Sequence, residues 1–297
     1  MLSRRSFLGL AGGAILIAAC GGNDDDSSGA QVDDDDSSDA QIEDRLDEEL
    51  SDVAPAVVSS DLYVSEMPQR FGFALLAKEG FASQGLARVA VAPDPETPTD
   101  FVDTVLHQEG LPERRGIYVT EFTFDREGIW NGLVEREGAQ LEFVFQVKAQ
   151  ADAPTIGAAA PMDASPTPAA PLGVEPICTR EPQCDLHAES LDTLIGQGLP
   201  VAVLFATPAR CTTQYCGPVL DSLLPLVGDY ADQVKIVHVD IFKDLRTNET
   251  SPTVTAWNLP SEPWFFGVTA EGTITNRLDG AFGQDEMRAV LDGLTSA

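Results

Sequence analysis

Cys211 and Cys216 lie in "FATPARCTTQYCGPVLD", residues 205–221, as a C-x4-C pair. Two thiols at short spacing can exchange with an external disulfide. One thiolate attacks a sulfur, and the second thiol resolves the mixed disulfide that forms. Pro218 suits the first turn of a helix, so the helix should start near Gly217 with Cys216 at its cap. The unpaired N–H groups of a helix start favour a thiolate. Arg210, next to Cys211, adds positive charge with the same effect. On one helix residues i and i+5 point apart, so the loop before the helix must bring the sulfurs together. Cys211 is expected to attack and Cys216 to resolve, with the reverse order open. The competing reading is a closed Cys211–Cys216 disulfide that only fixes the loop.

"CTREPQCDLH" holds a second pair, Cys178 and Cys184, with five residues between them. Four cysteines allow three pairings, and the spacing favours neighbours. Cys178 and Cys184 are therefore expected to form a small structural disulfide. A relay pair serving Cys211 is the lesser reading. A further one joins Cys178, Cys184 and His187 with the other cysteines around copper or zinc. His238, mid-strand in "KIVHVDI", reads as a packed histidine. His107 and Met67 have copper-ligand chemistry, but one of each makes no site. No metal or cofactor is assigned from the sequence.

The elements that must position the thiols follow from hydrophobic patterning. "LPVAVLFA" and "QVKIVHVDIF" are short, continuous apolar runs of the buried parallel-strand type. "AESLDTLIGQG" before them reads as a helix ending at glycine. An apolar helix is expected over 219–230, kinked at Pro225. "NETSPTVTAWNL" reads as a broken helix. "EPWFFGVT" and "TITNRLDG" form a hairpin about Glu271-Gly272, and "GQDEMRAVLDGL" is a closing helix. Residues 176–297 are thus an α/β domain of order β-α-β-α-β-β-α with a mixed sheet. Residues 53–150 carry six or so β-rich runs separated by turn residues, which suggests a β-sandwich. "GIYVTEFTFDREGIWNGLVEREG" reads as one of its hairpins, with Trp130 in the core. Residues 151–175 are Ala- and Pro-rich and read as a semi-rigid linker.

The start bounds location. Arg4 and Arg5, an apolar run from Phe7 to Ala19, and small residues before Cys20 describe a secretory signal over 1–20, too short to span a bilayer comfortably. Residues 21–52 are an acidic tether: positions 23–52 hold 14 acids against Arg45 alone. Such a segment cannot offset its ordering entropy and should be extended by self-repulsion. "QIEDRLDEEL" within it is a weak helix candidate. The whole chain carries −30, which excludes nucleic acid as the expected partner.

Several resemblances follow from these residues. Ser3-Arg4-Arg5-Ser6-Phe7-Leu8 resembles a twin-arginine export signal. Ile17-Ala18-Ala19-Cys20 resembles a lipoprotein box, which implies that Cys20 becomes the lipid-bearing first residue. The strands before residue 150 resemble immunoglobulin-like extracytoplasmic modules, here a spacer or partner-binding domain. Residues 176–297 resemble the thioredoxin family, on the Cys pair after the first buried strand, Cys216-Gly217-Pro218, Pro263 in "SEPWFF", and the closing hairpin and helix. That resemblance implies a cis-proline at Pro263 beside the active site. Leu204 stands where the family carries a buried Asp, and the spacing is C-x4-C rather than C-x2-C. "TPARCTTQYC" also resembles the peroxiredoxin segment, with one residue too many between Thr207 and Cys211. A copper chaperone with this fold would use C-x3-C and a distant His.

Together these give an exported lipoprotein, lipid-anchored to the cell membrane. An all-β immunoglobulin-like sandwich is followed by an α/β thioredoxin-like domain. The expected activity is thiol–disulfide exchange on exported proteins, with an unidentified redox partner and with Cys211, Cys216, Pro263 and Arg210 as site residues. The alternative of another class is a non-catalytic binding or scaffold lipoprotein with structural disulfides. Peroxidase and copper chaperone are lesser alternatives.

Overall fold

Thirteen strands and four short helices are laid out in a computed structural model that describes residues 53–97, 100–211 and 214–296. The signal, the tether with its helix candidate, and Cys20 lie outside the described residues. No helix among the described residues is long and apolar enough to cross a membrane.

The first nine strands are β1 (Ala54–Val57), β2 (Gln69–Ala77), β3 (Gly80–Phe81), β4 (Arg88–Ala92), β5 (Val102–Asp103), β6 (Val105–His107), β7 (Ile117–Phe122), β8 (Gly128–Arg136) and β9 (Ala139–Val147). They form two sheets, β1-β2-β7-β6 with β3 on β2, and β5-β4-β8-β9. Both sheets contribute to one aromatic core containing Phe71, Phe73, Tyr118, Phe124, Trp130 and Phe145. The Phe73 and Tyr118 rings stack at 5.2 Å, and Trp130 meets Phe124 edge-on at 5.1 Å. Burying each such ring contributes roughly 1.5–3 kcal/mol.

The expected hairpin over residues 116–138 does not form. β7 pairs with β2 and β6, whereas β8 pairs with β4 and β9. The chain crosses from one sheet to the other at residues 123–127. Both strands have alternating apolar faces, and sequence alternation cannot tell a hairpin from such an arch. Trp130 is in the core as expected, only 6 % exposed.

The C-terminal region contains β10 (Val201–Phe205), α1 (Cys216–Leu223), α2 (Val227–Tyr230), β11 (Lys235–Val239), α3 (Pro252–Ala256), β12 (Trp264–Val268), β13 (Ile274–Asp279) and α4 (Gln284–Thr295). Its sheet runs β11-β10-β12-β13, with β10 parallel to β11 and antiparallel to β12. These are the order and mixed directions that the β-α-β-α-β-β-α reading requires. A 3-10 turn at Leu224–Leu226 interrupts the apolar helix at Pro225, as proline's missing N–H demands. β10 is buried on both faces. Val201, Val203 and Phe205 face one core; Ala202 and Leu204 face another, which includes α1 and α4.

Two expectations fail on the first of those faces. Residues 188–198 form only a 3-10 turn at Leu191–Thr193. Gly196 and Gly198 take positive φ there, and the Ser190 hydroxyl accepts from Ser165 N at 2.8 Å instead of capping a helix. The Ala/Pro-rich segment, expected as a semi-rigid linker, is instead packed against the sheet. Ala153 and Ala160 enter the core, and residues 157–160 exchange backbone bonds with Gly272 and Ile274 beside β13. Its methyl groups and the Leu191–Ile195 turn cover the face that the missing helix leaves open.

The β region is built onto the other face. Ala74 and Ile117 join the core of α1 and α4, and the described residues fall in one compact unit. Asp61 is a hub of this union. Its carboxylate, fully shielded from solvent, accepts from Asp152 N, Ala153 N, Lys148 Nζ (2.9 Å) and Arg277 Nη2 (2.6 Å). Arg70 crosses to Glu286 at 2.7 Å and to the carbonyl of Ala281. At Gly280, φ is +76°, and a Cβ would stand 1.7 Å from the Val58 carbonyl oxygen. Only glycine permits that approach.

Candidate functional site

β10 ends at Phe205 and delivers the chain through Thr207 and Pro208 to the cysteine loop, after which α1 begins at Cys216. Cys216 is fully buried and Cys211 half-buried. The Cys216 backbone N–H donates to Cys211 Sγ at 3.1 Å. The first turn of α1 therefore directs an amide at the more accessible sulfur. Burial, first, and then the Cys211 hydrogen bond and the Glu262 charge push the Cys216 thiol far above its ordinary range. No disulfide joins Cys211 to Cys216 in this structure.

β12 brings the third component. The Glu262–Pro263 peptide is cis, as the thioredoxin resemblance implied. Both residues are buried. A Glu262 carboxylate oxygen and the two sulfurs of Cys211 and Cys216 all lie within 4.8 Å of one another. The sequence reading singled out Pro263 and missed Glu262, although Glu262 precedes it. Leu204, expected from the thioredoxin resemblance to stand in place of an acid, is fully buried in β10. The acid beside the thiols comes instead from the β12 side.

Arg210 is not part of this cluster. Its guanidinium turns to the carbonyls of Leu245 (3.1 Å) and Thr247 and to the Asn248 side chain, and lies 4.8 Å above the Phe242 ring. These contacts fix the loop after β11. Thr207, the residue that a peroxidase would direct at peroxide, is fully buried. Its Oγ1 accepts from Ile241 N at 2.9 Å.

The β region borders the loop. The Phe81 ring meets Tyr215 edge-on at 5.2 Å, Arg115 stacks over Phe81 at 4.8 Å and donates to the Gln214 carbonyl at 3.0 Å. Ser60 Oγ and Ser261 Oγ are 2.6 Å apart at the cis-proline turn. An open groove of about 610 Å³ runs beside the start of α1, lined by Pro176, Cys178, Thr179, Pro208, Ala209 and Gly217.

Cys178 and Cys184 do not form the expected disulfide: their sulfurs are 3.7 Å apart, well beyond the bond length of about 2.05 Å. Two imidazoles share the space. His187 Nε2 is 3.5 Å and His238 Nδ1 3.4 Å from Cys184 Sγ. Hydrogen bonding from Cys184, and then from the two imidazoles, holds the Cys178 thiol well below its ordinary range. His238 is fully buried but is more than packing. Of the two residues weighed for copper in the β region, Met67 is exposed, and His107 pairs with Asp285 at 2.7 Å.

No family model matches the chain, and no curated protein matches it. Among solved structures, one similar chain is a thiol:disulfide interchange protein of the thioredoxin family from Chlorobium tepidum TLS. It is 14% identical, with a TM-score of 0.34, and the match covers 48% of this chain and 99% of that one.

Proposed function

We propose that this chain is an extracytoplasmic thiol–disulfide oxidoreductase, tethered to the membrane by a lipid on Cys20, with a thioredoxin-like domain as its working part. The observation that carries the reading is the asymmetry of the two thiols: Cys216 is wholly buried, and its N–H points at the more accessible Cys211.

In the reducing direction, the Cys211 thiolate attacks a disulfide of an exported protein. One substrate sulfur becomes bonded to Cys211, and the other leaves as a thiolate that takes a proton from water. Glu262 then accepts the Cys216 proton. Cys216 attacks Cys211 Sγ, and the second substrate sulfur leaves as a thiolate that takes the proton held by Glu262. The substrate has gained two electrons, and the enzyme holds a Cys211–Cys216 disulfide. A partner dithiol must restore it. The same steps in reverse oxidise a substrate dithiol. Catalysis rests on the thiolate fraction of Cys211 and on the acid–base service of Glu262 to a thiol that burial keeps protonated. The groove beside Pro208 and Gly217 suits an extended substrate chain. The β region, immunoglobulin-like in this reading, flanks the loop through Phe81, Arg115 and Ser60.

The test is the reduction potential of the pair, read by alkylation and peptide mass after equilibration in glutathione and dithiothreitol buffers. A value between about −120 and −270 mV supports catalysis, whereas one below about −300 mV makes the pair a staple. A staple would favour the second reading, a binding lipoprotein, which the packing of Phe81 against Tyr215 over the loop also supports. Release of the Cys20→Ser chain from membranes tests the tether separately.

A further inference from the structure

The loop before β10 and the middle of β11 bring four donors together that the redox chemistry above leaves unused. Cys178 Sγ, Cys184 Sγ, His187 Nε2 and His238 Nδ1 all lie within 4.8 Å of one another. Cys178 and both histidines are at most 3 % exposed. We propose that these four side chains form a closed, tetrahedral site for a zinc-class divalent ion.

Geometry carries the proposal. A tetrahedral ion with Zn–S of about 2.3 Å and Zn–N of about 2.0–2.1 Å sets its ligands apart by about 3.8 Å for S–S, 3.6 Å for S–N and 3.3 Å for N–N. The observed separations are 3.7 Å for the sulfurs and 3.2 Å for the two nitrogens. The sulfur–nitrogen separations are 3.5 Å, 3.4 Å and 3.9 Å. The sixth edge, Cys178 Sγ to His187 Nε2, lies within 4.8 Å, and hydrogen bonds alone do not require four donors to converge in this way. Four ligands leave no open position, which is the structural rather than the catalytic pattern. A mixed S2N2 set without carboxylate excludes calcium and magnesium and suits zinc.

The surroundings prepare the ligands. His238 Nε2 is 2.9 Å from the Ala206 carbonyl oxygen. A carbonyl can only accept, so Nε2 carries the proton and Nδ1 presents its lone pair to the sulfurs. That is the carbonyl-backed arrangement of metal-bound histidines. The loop is held by its own bonds: His238 N donates to the Leu186 carbonyl at 2.9 Å, and Asp240 accepts from Thr179 N and Oγ1. On binding, both cysteines ligate as thiolates, and any proton displaced from the site goes to solvent. Two thiolates and one dication make a neutral centre, which burial permits. The ion then clamps the 178–187 loop to β11. Through Ala206, and through Ala209 N donating to Thr179 Oγ1 at 3.3 Å, it also steadies the stretch that leads to Cys211.

The test uses the full chain, reduced and stripped of metal, titrated with cobalt(II) and then zinc. One equivalent of cobalt should give the intense visible bands of a tetrahedral centre with a thiolate charge-transfer band, and zinc should displace it. The spectrum should persist in the Cys211→Ser/Cys216→Ser double variant and vanish in Cys184→Ser. Should Cys184→Ser fail to fold, alkylation of the wild type decides: one equivalent of zinc should shield Cys178 and Cys184 from iodoacetamide while Cys211 stays reactive. The proposal is overturned by a reduced chain that takes up no cobalt or zinc, by a spectrum that survives Cys184→Ser or disappears with the Cys211/Cys216 pair, or by copper(I) uptake without zinc uptake.

Discussion

Cys216 serves Cys211 through its backbone and not only through its sulfur: its amide nitrogen stands 3.1 Å from Cys211 Sγ. The two thiols therefore stand in different surroundings, one half-buried and facing an amide and the other fully buried. In the native dithiol, iodoacetamide should modify Cys211 and leave the buried Cys216 untouched, with peptide mass as the readout. Cys216→Ser should accumulate a mixed disulfide with substrate, because the attacking sulfur remains and the resolving one is gone. Cys211→Ser should form none. A trapped adduct on Cys216 instead would reverse the assigned order.

Glu262 should matter to the second step alone. Glu262→Gln keeps the shape and removes the proton acceptor beside Cys216. General-base assistance contributes about 10²–10⁴-fold, so resolution should slow by at least about 10². Formation of the mixed disulfide should be unchanged. Rapid-quench kinetics separate the two steps. Equal slowing of both would make Glu262 a packing residue.

Much of this arrangement was legible in local sequence. The strand–loop–helix order around Cys211, the proline break at Pro225 and the hairpin about Glu271-Gly272 each depend on neighbours in the chain, and the structure has all of them. What was missed depends on distant partners. His238 reads as one more β11 residue until the loop of Cys178 folds back and places two sulfurs beside it. Glu262 comes beside the thiols only because β12 lies antiparallel to β10, which brings the turn before β12 to the cysteine loop at the end of β10. Arg210 looked electrostatically useful next to Cys211, but sequence adjacency does not fix where a long side chain turns, and the carbonyls of residues 245–247 took it. The arch between β7 and β8 was hidden for the same reason: alternation specifies a face, not a pairing partner.

Asp61 should be among the most sensitive positions outside the site. Its side chain is 0% exposed, with Arg277 at 2.6 Å and Lys148 at 2.9 Å. Asp61→Asn keeps the size and leaves two cations facing a neutral amide. Breaking a buried pair by removing one partner costs about 3–5 kcal/mol. For a chain of this size that corresponds to a Tm lower by about 6–20 °C, measurable by calorimetry. The carboxyl is held below its ordinary range, burial opposing and the Asp152, Lys148, Arg277 and Ala153 contacts prevailing. Its contribution should thus be complete above its unfolded pKa of about 3.9 and fade as the pH falls through the lower folded value. A Tm change within about 2 °C would remove Asp61 from the framework.

His107 should impose the opposite pH slope. It joins β6 to α4 through Asp285 at 2.7 Å. Burial alone would lower its pKa. The Asp285 hydrogen bond and the charges of Glu286 and Asp285 outweigh burial and the opposing Arg70, so the folded value lies above the ordinary 6.5. A raised pKa means that the folded state holds its proton more tightly than the unfolded chain does. The stability this supplies is complete below about pH 6.5 and is lost as pH rises through the folded value. At the acid end it lasts until Asp285, whose pKa is lowered, takes up its proton. Denaturation of the wild type and His107→Gln should therefore differ most near pH 5–6 and converge above the folded value. A difference that stays constant from pH 5 to pH 9 would show that the imidazole contributes packing and not charge.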